Sequence, residues 1–375
     1  TAETGITNRT AGTQSGTVTV NAADAITDPD NPTTAGVYNL SGGTISGTVA
    51  NSGTFNLSGT GEITGAVTNN AGATFNYGGG TFASIANSGT LQFSADYEYT
   101  VDDDAKITGD GTMSNTAGTT FTLSSGTLSQ AFTNNGTFNY GGGTFASIDN
   151  AGTLNFNSDY TYNSNAISNT AGATVNAAGQ TFTMTGGTLE QLSFTNNGKF
   201  IYTGGALNAG LINNKEMTHI TIANTEANQL TVTGFTQGTD GTITLAITKG
   251  DTNSWTSIFV DNTAGNIELD GNLVLDLTNA EDWTLADVDT RLEIFTTTNP
   301  SDTGITGDFD SITWSDGLAN NLSWDFILED NIGYAVLRGE VPPPPGGDVP
   351  EPATWALMLV GLAGLLYFQR RKKQA

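Results

Sequence analysis

Apolar and polar residues alternate along most of this 375-residue chain. The alternation is clear in Thr54-Phe55-Asn56-Leu57 and in Thr137-Phe138-Asn139-Tyr140, and pairs such as Gly-Gly and Ser-Gly separate the alternating stretches. A period of two is typical of β-strands with one buried face, and no part of the body shows the 3.6-residue period of an amphipathic helix. The pattern therefore predicts an all-β body of short strands and tight turns.

The body consists of internal repeats. The sequence NYGGGTFASI occurs at 76–85 and again, 63 residues later, at 139–148. Inside this long repeat lies a shorter one, in which an apolar residue, any residue and an Asn precede small residues and an apolar-x-apolar triplet. Most copies are 16 to 19 residues apart, and two carry an insertion of roughly ten residues. The repeated Asn residues are Asn51, Asn69, Asn87, Asn115, Asn134, Asn150, Asn169, Asn196 and Asn213.

A repeat of this length accommodates three short strands, which predicts a β-solenoid with one repeat per coil. Asn side chains at equivalent corners can form hydrogen bonds from coil to coil and can satisfy buried backbone groups. We therefore interpret the nine asparagines as structural rather than ligand-binding. The repeated apolar positions are predicted to stack inside the coils; they are Phe55, Phe75, Phe82, Ile85, Phe138, Phe145 and Ile148.

The region from about Thr44 to Ile222 resembles, in its cysteine-free Asn-Gly-Thr coils, the right-handed β-helix passengers of autotransporters and filamentous haemagglutinin-like adhesins. The resemblance implies a right-handed parallel β-helix and says less about function. From about Leu230, longer strands and tryptophans replace the Asn-Gly coils, similar to the terminal β module of autotransporter-type repeat proteins. Because an end coil exposes strand edges, we predict a capping module at residues 230–340.

The C-terminus has a different composition. Pro350-Glu351-Pro352 precedes 16 uncharged residues, Ala353–Phe368. Such a segment spans ~24 Å as a helix, against ~30 Å for the hydrocarbon core, which predicts a short transmembrane helix. A basic cluster follows and places the C-terminus in the cytoplasm, with the body on the other side of the membrane. The cluster consists of Arg370, Arg371, Lys372 and Lys373.

These three parts, in this order, resemble the PEP-CTERM sorting signal of Gram-negative bacteria. The resemblance implies an inner-membrane intermediate, processing near the motif by an exosortase (a membrane-embedded protease), and delivery to the outer cell surface or extracellular matrix. Substrates of this system typically carry a secretion signal, so the numbering is expected to begin after signal removal. A single-pass tail anchor is the alternative.

Composition divides the chain into five segments. They are an N-terminal β segment with the first coils (1–47), the Asn/Gly/Thr-rich solenoid (48–229), the capping module (230–340), a Pro/Gly linker (341–349) and the sorting signal (350–375). The linker contains four consecutive prolines, which predict a stiff spacer.

Charge and residue counts exclude several kinds of site. The chain has 37 Asp and Glu, 11 Lys and Arg, one His and no Cys. Nucleic acid is therefore excluded as a partner, and so are thiolate metal sites, disulfides and, with His219 alone, any two-histidine site within the chain. We predict no catalytic residue, no metal site and no cofactor. Loop-bound calcium is an unsupported alternative at Asp28/Asp30, Asp102–Asp104 and Asp308/Asp310, which we interpret as solvated loops.

We expect an exported, non-enzymatic surface or matrix protein that acts in adhesion, biofilm or exopolysaccharide-associated assembly. Its expected partners are the exosortase, exopolysaccharide or other surface glycans, and other copies of itself. A polysaccharide lyase or hydrolase is the alternative, although the bases of the rod (Arg9, Lys106, Lys199 and Lys215) lie far apart in the sequence. An ice-binding solenoid is less favoured, because Thr-x-Thr triplets do not recur once per coil.

Overall fold

The computed structural model describes residues 2–3, 6–22, 36–219, 228–250, 253–262, 265–298, 304–315 and 317–339. These residues form a parallel β-solenoid of about ten turns. They include one short α-helix, α1 (Asp103–Lys106), and two 3-10 helices, Ala280–Asp282 and Leu285–Asp287. The predicted all-β solenoid is confirmed, whereas its right-handed sense stays a prediction.

The strands are numbered in chain order. The first fourteen are β1 (Ala2–Glu3), β2 (Ile6–Arg9), β3 (Thr13–Gln14), β4 (Val18–Val20), β5 (Val37–Leu40), β6 (Thr44–Ile45), β7 (Val49–Asn51), β8 (Thr54–Ser58), β9 (Glu62–Asn69), β10 (Thr74–Gly78), β11 (Thr81–Asn87), β12 (Thr90–Phe93), β13 (Tyr97–Tyr99) and β14 (Ile107–Thr108). The next fourteen are β15 (Thr112–Asn115), β16 (Thr120–Leu123), β17 (Thr127–Asn134), β18 (Thr137–Tyr140), β19 (Thr144–Asn150), β20 (Thr153–Phe156), β21 (Tyr160–Tyr162), β22 (Ile167–Ser168), β23 (Ala173–Asn176), β24 (Thr181–Met184), β25 (Thr188–Asn196), β26 (Lys199–Tyr202), β27 (Ala206–Asn213) and β28 (Glu216–His219). The remainder are β29 (Asn228–Val232), β30 (Gly234–Gln237), β31 (Thr242–Thr248), β32 (Ser254–Val260), β33 (Ile267–Leu269), β34 (Asn272–Thr278), β35 (Arg291–Thr297), β36 (Ile305–Gly307), β37 (Ser311–Trp314), β38 (Leu322–Glu329) and β39 (Ile332–Gly339).

Four sheets follow one another along the solenoid, with overlapping ranges, and enclose successive parts of its core. Sheet A contains β1, β3, β4, β6, β7, β9, β11 and β14. Sheet B has the order β2-β5-β8-β10-β12-β15-β17-β19-β22, and sheet C the order β13-β16-β18-β20-β23-β25-β27-β30-β33-β36. Sheet D begins at β21 and contains the remaining strands.

The long repeat does not return to the same sheet. The strand β10 belongs to sheet B, its equivalent β18 in the second copy belongs to sheet C, and the next equivalent, β26, belongs to sheet D. The changes occur at the two insertions, where β13 begins sheet C and β21 begins sheet D. Equivalent strands of successive copies therefore lie on successive sheets around the core.

The core contains stacked side chains from equivalent strand positions. Tyr38, Phe55 and Phe75 stack in succession with ring centroids 5.1 Å apart. Burial of each such side chain stabilises the fold by ~1.5–3 kcal/mol, and stacked rings add ~0.5–1.5 kcal/mol. Five of the seven predicted inward positions are fully buried, whereas Phe82 and Phe145 are only partly buried at the rim of the core.

Close coil stacking explains glycines such as Gly172. A Cβ atom at this position would lie 1.8 Å from the backbone oxygen of Asn150 in the preceding coil. No side chain fits such an approach, so the corner requires glycine.

The C-terminal part of the described chain adds antiparallel pairing. Strands β38 and β39 form a hairpin, β39 pairs antiparallel with β35, and Asp330 and Asn331 occupy the turn with φ of 51° and 65°. Positive φ at both residues is typical of a two-residue hairpin turn. The capping role of this region and the five segment boundaries stay predictions.

The predicted transmembrane helix lies outside the described residues. Among the residues that are described, no helix is long and apolar enough to cross a membrane.

Candidate functional site

The repeated asparagines form hydrogen-bonded columns inside the solenoid. In sheet A, Asn51 donates to Asn69 (2.8 Å) and Asn69 donates to Asn87 (2.7 Å). Each also donates to a backbone carbonyl further along the stack, for example Asn69 to the oxygen of Thr90 at 3.0 Å. All three side chains are fully buried. The column therefore satisfies corner backbone groups that have no access to water.

Two further columns follow on the next sheets. In sheet B, Asn134 donates to Asn150 at 2.6 Å, and the neighbouring Asn115 bonds the carbonyls of Thr119 and Thr137 instead. In sheet C the donors run from Asn176 to Asn196 to Asn213, at 2.8 Å each.

Buried glutamines complete the columns at the insertions, and the sequence prediction missed them. Gln130 accepts from Asn87 (2.8 Å) and donates to the backbone oxygen of Thr108 (3.1 Å). Gln191 takes the same place in the second copy, accepting from Asn150 at 2.6 Å. A glutamine side chain is longer than an asparagine side chain, so it reaches from the following coil to the asparagine column on the neighbouring sheet. The sequence does contain a signal for them, because each glutamine is the last residue of a Thr-Leu-x-Gln segment that occurs in both copies of the long repeat.

Asn169 is a correction to the predicted set. Its φ is +100°, it is half-exposed, and its carboxamide donates to Asp149 at 2.7 Å rather than to a column. The equivalent residue of the first copy is Gly109, also at positive φ, so this position needs a residue that tolerates the left-handed region. Asn176, which was not predicted, is fully buried and occupies the column instead.

A second set of polar columns lies on the outer faces of the sheets. On sheet B, Asn56 donates to Asn39 (2.5 Å) and Asn76 donates to Asn56 (2.7 Å). The threonines two residues earlier in each strand align as well, since Thr54 pairs with Thr74 and Thr74 with Thr90. These side chains are half-exposed. They form an ordered surface of hydroxyl and amide groups.

Two carboxylates of the acidic loop Asp102–Asp104 accept hydrogen bonds from neighbouring residues of the fold. Asp103 is buried and accepts from the Tyr97 hydroxyl (3.0 Å) and the Thr100 amide (2.8 Å), while Asp104 accepts from the Tyr99 hydroxyl at 3.1 Å. Burial, followed by the neighbouring carboxylates, raises the pKa of both tyrosines. No group of three or more His, Asp or Glu in the described part of the chain could hold a metal ion. Asp28 and Asp30 lie outside it.

The lysines of the rod are paired and spread over different coils. Lys106 lies 3.4 Å from Asp103, Lys199 lies 2.7 Å from Glu216, and Lys215 lies 3.2 Å from Asp240. The last two pairs line a surface cleft of about 580 Å³. Exposed pairs of this kind stabilise a fold by only ~0–1 kcal/mol. Arg9, in the first turn, donates instead to the Tyr38 hydroxyl at 3.1 Å.

The remaining candidate residues are placed only in part. His219 ends β28, where its backbone lies opposite Tyr202 and Leu245, and its side chain lies outside the described residues. The motif residues Pro350, Glu351 and Pro352 and the basic cluster at 370–373 also lie outside them.

Comparison with protein families identifies the C-terminus. Residues 348–372 match the PEP-CTERM protein-sorting motif. This match covers the motif, the apolar segment and most of the basic cluster, and it indicates an exported protein that an exosortase sorts to the cell surface. Comparisons with curated proteins and with solved structures found no match to the chain.

Proposed function

We propose that this chain is a non-enzymatic structural protein of the outer cell surface or extracellular matrix of a Gram-negative bacterium. It acts in adhesion, biofilm or exopolysaccharide-associated assembly after an exosortase has processed its C-terminus. The observation that carries the proposal is the combination of a PEP-CTERM motif at 348–372 with a long β-solenoid body.

The geometry of the body supports a structural role. Its repeated polar groups lie in columns, and the carboxylates of the loop at 100–106 are held by tyrosine hydroxyls and backbone amides. Each lysine of the coils that is described is paired with an acid. A lyase acting on an acidic glycan needs cations that are available to neutralise its substrate, whereas these lysines are already neutralised by acids of the chain, so this arrangement favours the structural role.

Intact-mass analysis of protein from the envelope and the medium tests the processing step. We expect the wild-type protein to lack residues C-terminal to the cleavage point. The variant Glu351→Ala should keep a chain that ends at Ala375 and should collect in the inner membrane. Pro344→Ala, in the linker, is the matched control and should be processed normally. Recovery of wild-type protein only as the full chain would contradict the proposal.

A separate assay tests the absence of enzymatic activity. Purified protein is incubated with neutral and acidic glycans, and the products are analysed for new reducing ends and for unsaturated sugar ends. We expect neither product. Unsaturated ends would identify a lyase and new reducing ends a hydrolase, and either result would overturn the structural role.

A further inference from the structure

Two equivalent outer surfaces carry aligned hydroxyl and amide groups. Patch 1 lies on strands β8, β10 and β12 of sheet B, and patch 2 lies on strands β16, β18 and β20 of sheet C. The patch 1 residues are Thr54, Thr74, Thr90, Asn56, Asn76 and Gln92. The patch 2 residues are Thr120, Thr137, Thr153, Thr122, Asn139 and Asn155.

Strand geometry sets the spacing within each patch. Neighbouring strands lie ~4.8 Å apart, and residues two apart along a strand lie ~6.6 Å apart on the same face. Hydrogen bonds fix the amides, from Asn76 to Asn56 (2.7 Å) in patch 1 and from Asn155 to Asn139 (2.9 Å) in patch 2. The groups are therefore ordered before any ligand arrives, which lowers the entropic cost of binding.

Both patches belong to nearly uncharged stretches of a strongly acidic chain. Residues 36–95 contain one charged residue, Glu62, and residues 111–158 contain one, Asp149, although the whole chain has a net charge of −26. Glu98, beside Thr122, is a charged neighbour at the edge of patch 2. The corresponding positions on sheet D hold the ion pair of Lys199 and Glu216 instead.

Hydroxyl and amide groups both donate and accept hydrogen bonds, so they match a ligand that also carries both functions at regular intervals. A neutral polysaccharide has this chemistry and avoids the repulsion that an acidic polymer meets from the rest of the chain. Many weak contacts along such a polymer add up to useful affinity. We infer that patches 1 and 2 bind an uncharged polysaccharide.

The shift of the repeat from sheet B to sheet C gives this inference a mechanical consequence. Sheets B and C enclose the same core, so their outer faces point in different directions. One molecule can then hold two polymer chains and cross-link them. The inference rests on the proposed matrix function and names the polymer class and the surfaces that bind it.

Native-gel retardation of the full chain by hydroxyethyl cellulose and by dextran tests binding, with alginate as the acidic polymer. The patch variants are T74E/T90E, T137E/T153E and their combination. The control T68E/A86E places two acids on paired, exposed positions of sheet A. We expect the combined variant to bind at least one neutral polymer about tenfold more weakly than wild type, a change of ~1.4 kcal/mol. The control should bind like wild type.

Agglutination of polymer-coated beads tests cross-linking. Each two-residue patch variant should still be retarded in the gel but should no longer agglutinate the beads. The variant T74V/T90V/T137V/T153V removes four hydroxyls while keeping the side-chain shape, so it reports on binding even if the glutamate variants fold poorly. We expect it to lose retardation and agglutination.

Four results would overturn the inference. They are unchanged binding by both four-residue variants, equal loss in the control, retardation of wild type by alginate alone, and inhibition of ice recrystallisation without retardation by any polymer. None of them bears on processing at the sorting motif. A protein that is processed and reaches the surface, yet fails these tests, leaves the proposed function standing.

Discussion

The substitution Asn69→Ala tests whether the buried columns stabilise the solenoid. Asn69 accepts from Asn51 (2.8 Å) and donates to Asn87 (2.7 Å) and to the backbone oxygen of Thr90 (3.0 Å). The site is fully buried, so water cannot replace these bonds. With ~1–3 kcal/mol for each of the three buried groups left without its partner, the free energy of unfolding should fall by at least about 3 kcal/mol.

The matched control is Asn56→Ala in the outer column. Asn56 also exchanges hydrogen bonds with two asparagines, Asn39 and Asn76, but it is half-exposed. Water can take over its partners, so we expect a loss of at most about 1 kcal/mol. The two substitutions remove the same atoms, but Asn69 is buried and also donates to a backbone carbonyl, whereas Asn56 is half-exposed.

Urea unfolding, followed by circular dichroism and by tryptophan fluorescence, measures both changes. All five tryptophans lie C-terminal to residue 254, so fluorescence reports on the far end of the chain. Because solenoid coils interact mainly with their neighbours, Asn69→Ala should shift the dichroism transition more than the fluorescence transition. Equal losses for Asn69→Ala and Asn56→Ala would refute the role of the buried columns.

Two further predictions follow from the buried polar groups. Gln130→Asn should lower the free energy of unfolding by ~1–3 kcal/mol, as should Gln130→Ala, because the shorter side chain cannot join Asn87 to the Thr108 carbonyl. Gln92→Asn on the outer face should have little effect in the same urea titration. Burial raises the pKa of Tyr162 from 10.0 to about 12, so the folded state holds the phenolic proton more tightly than the unfolded state does. The stabilisation from the protonated Tyr162 should therefore be complete below pH ~10 and should be lost as the pH rises towards 12. The free energy of unfolding, measured across this pH range, should decline less steeply for Tyr162→Phe than for wild type. An identical decline would show that the Tyr162 hydroxyl does not cause the pH dependence.

Local sequence was sufficient for the strands, the repeat and the sorting signal. The alternation in Thr54-Phe55-Asn56-Leu57 predicts which side chains lie inside, because successive residues of a strand point to opposite faces. The sorting signal is a contiguous segment of motif, apolar stretch and basic cluster, so it could be recognised in the sequence alone.

The insertions limited what the pattern could predict. The sequence around Asn169 fits the repeat, yet Asn176 occupies the column, because the left-handed backbone at Asn169 takes its side chain out of the stack. The hydrogen bonds of Gln130 and Gln191 could not be predicted from local sequence, because the asparagines that they contact lie 43 and 41 residues away. Contacts at such distances depend on how the intervening coil folds.

The sequence by itself determined that the chain forms short strands, that asparagine recurs at its corners and that its C-terminus carries a sorting motif. Only the tertiary structure decided which sheet each repeat joins. Strand type depends on neighbouring residues, whereas position around the core depends on the accumulated length and path of every preceding turn. The two insertions therefore place Thr74 on sheet B and its equivalent Thr137 on sheet C, although the segments around them are nearly identical.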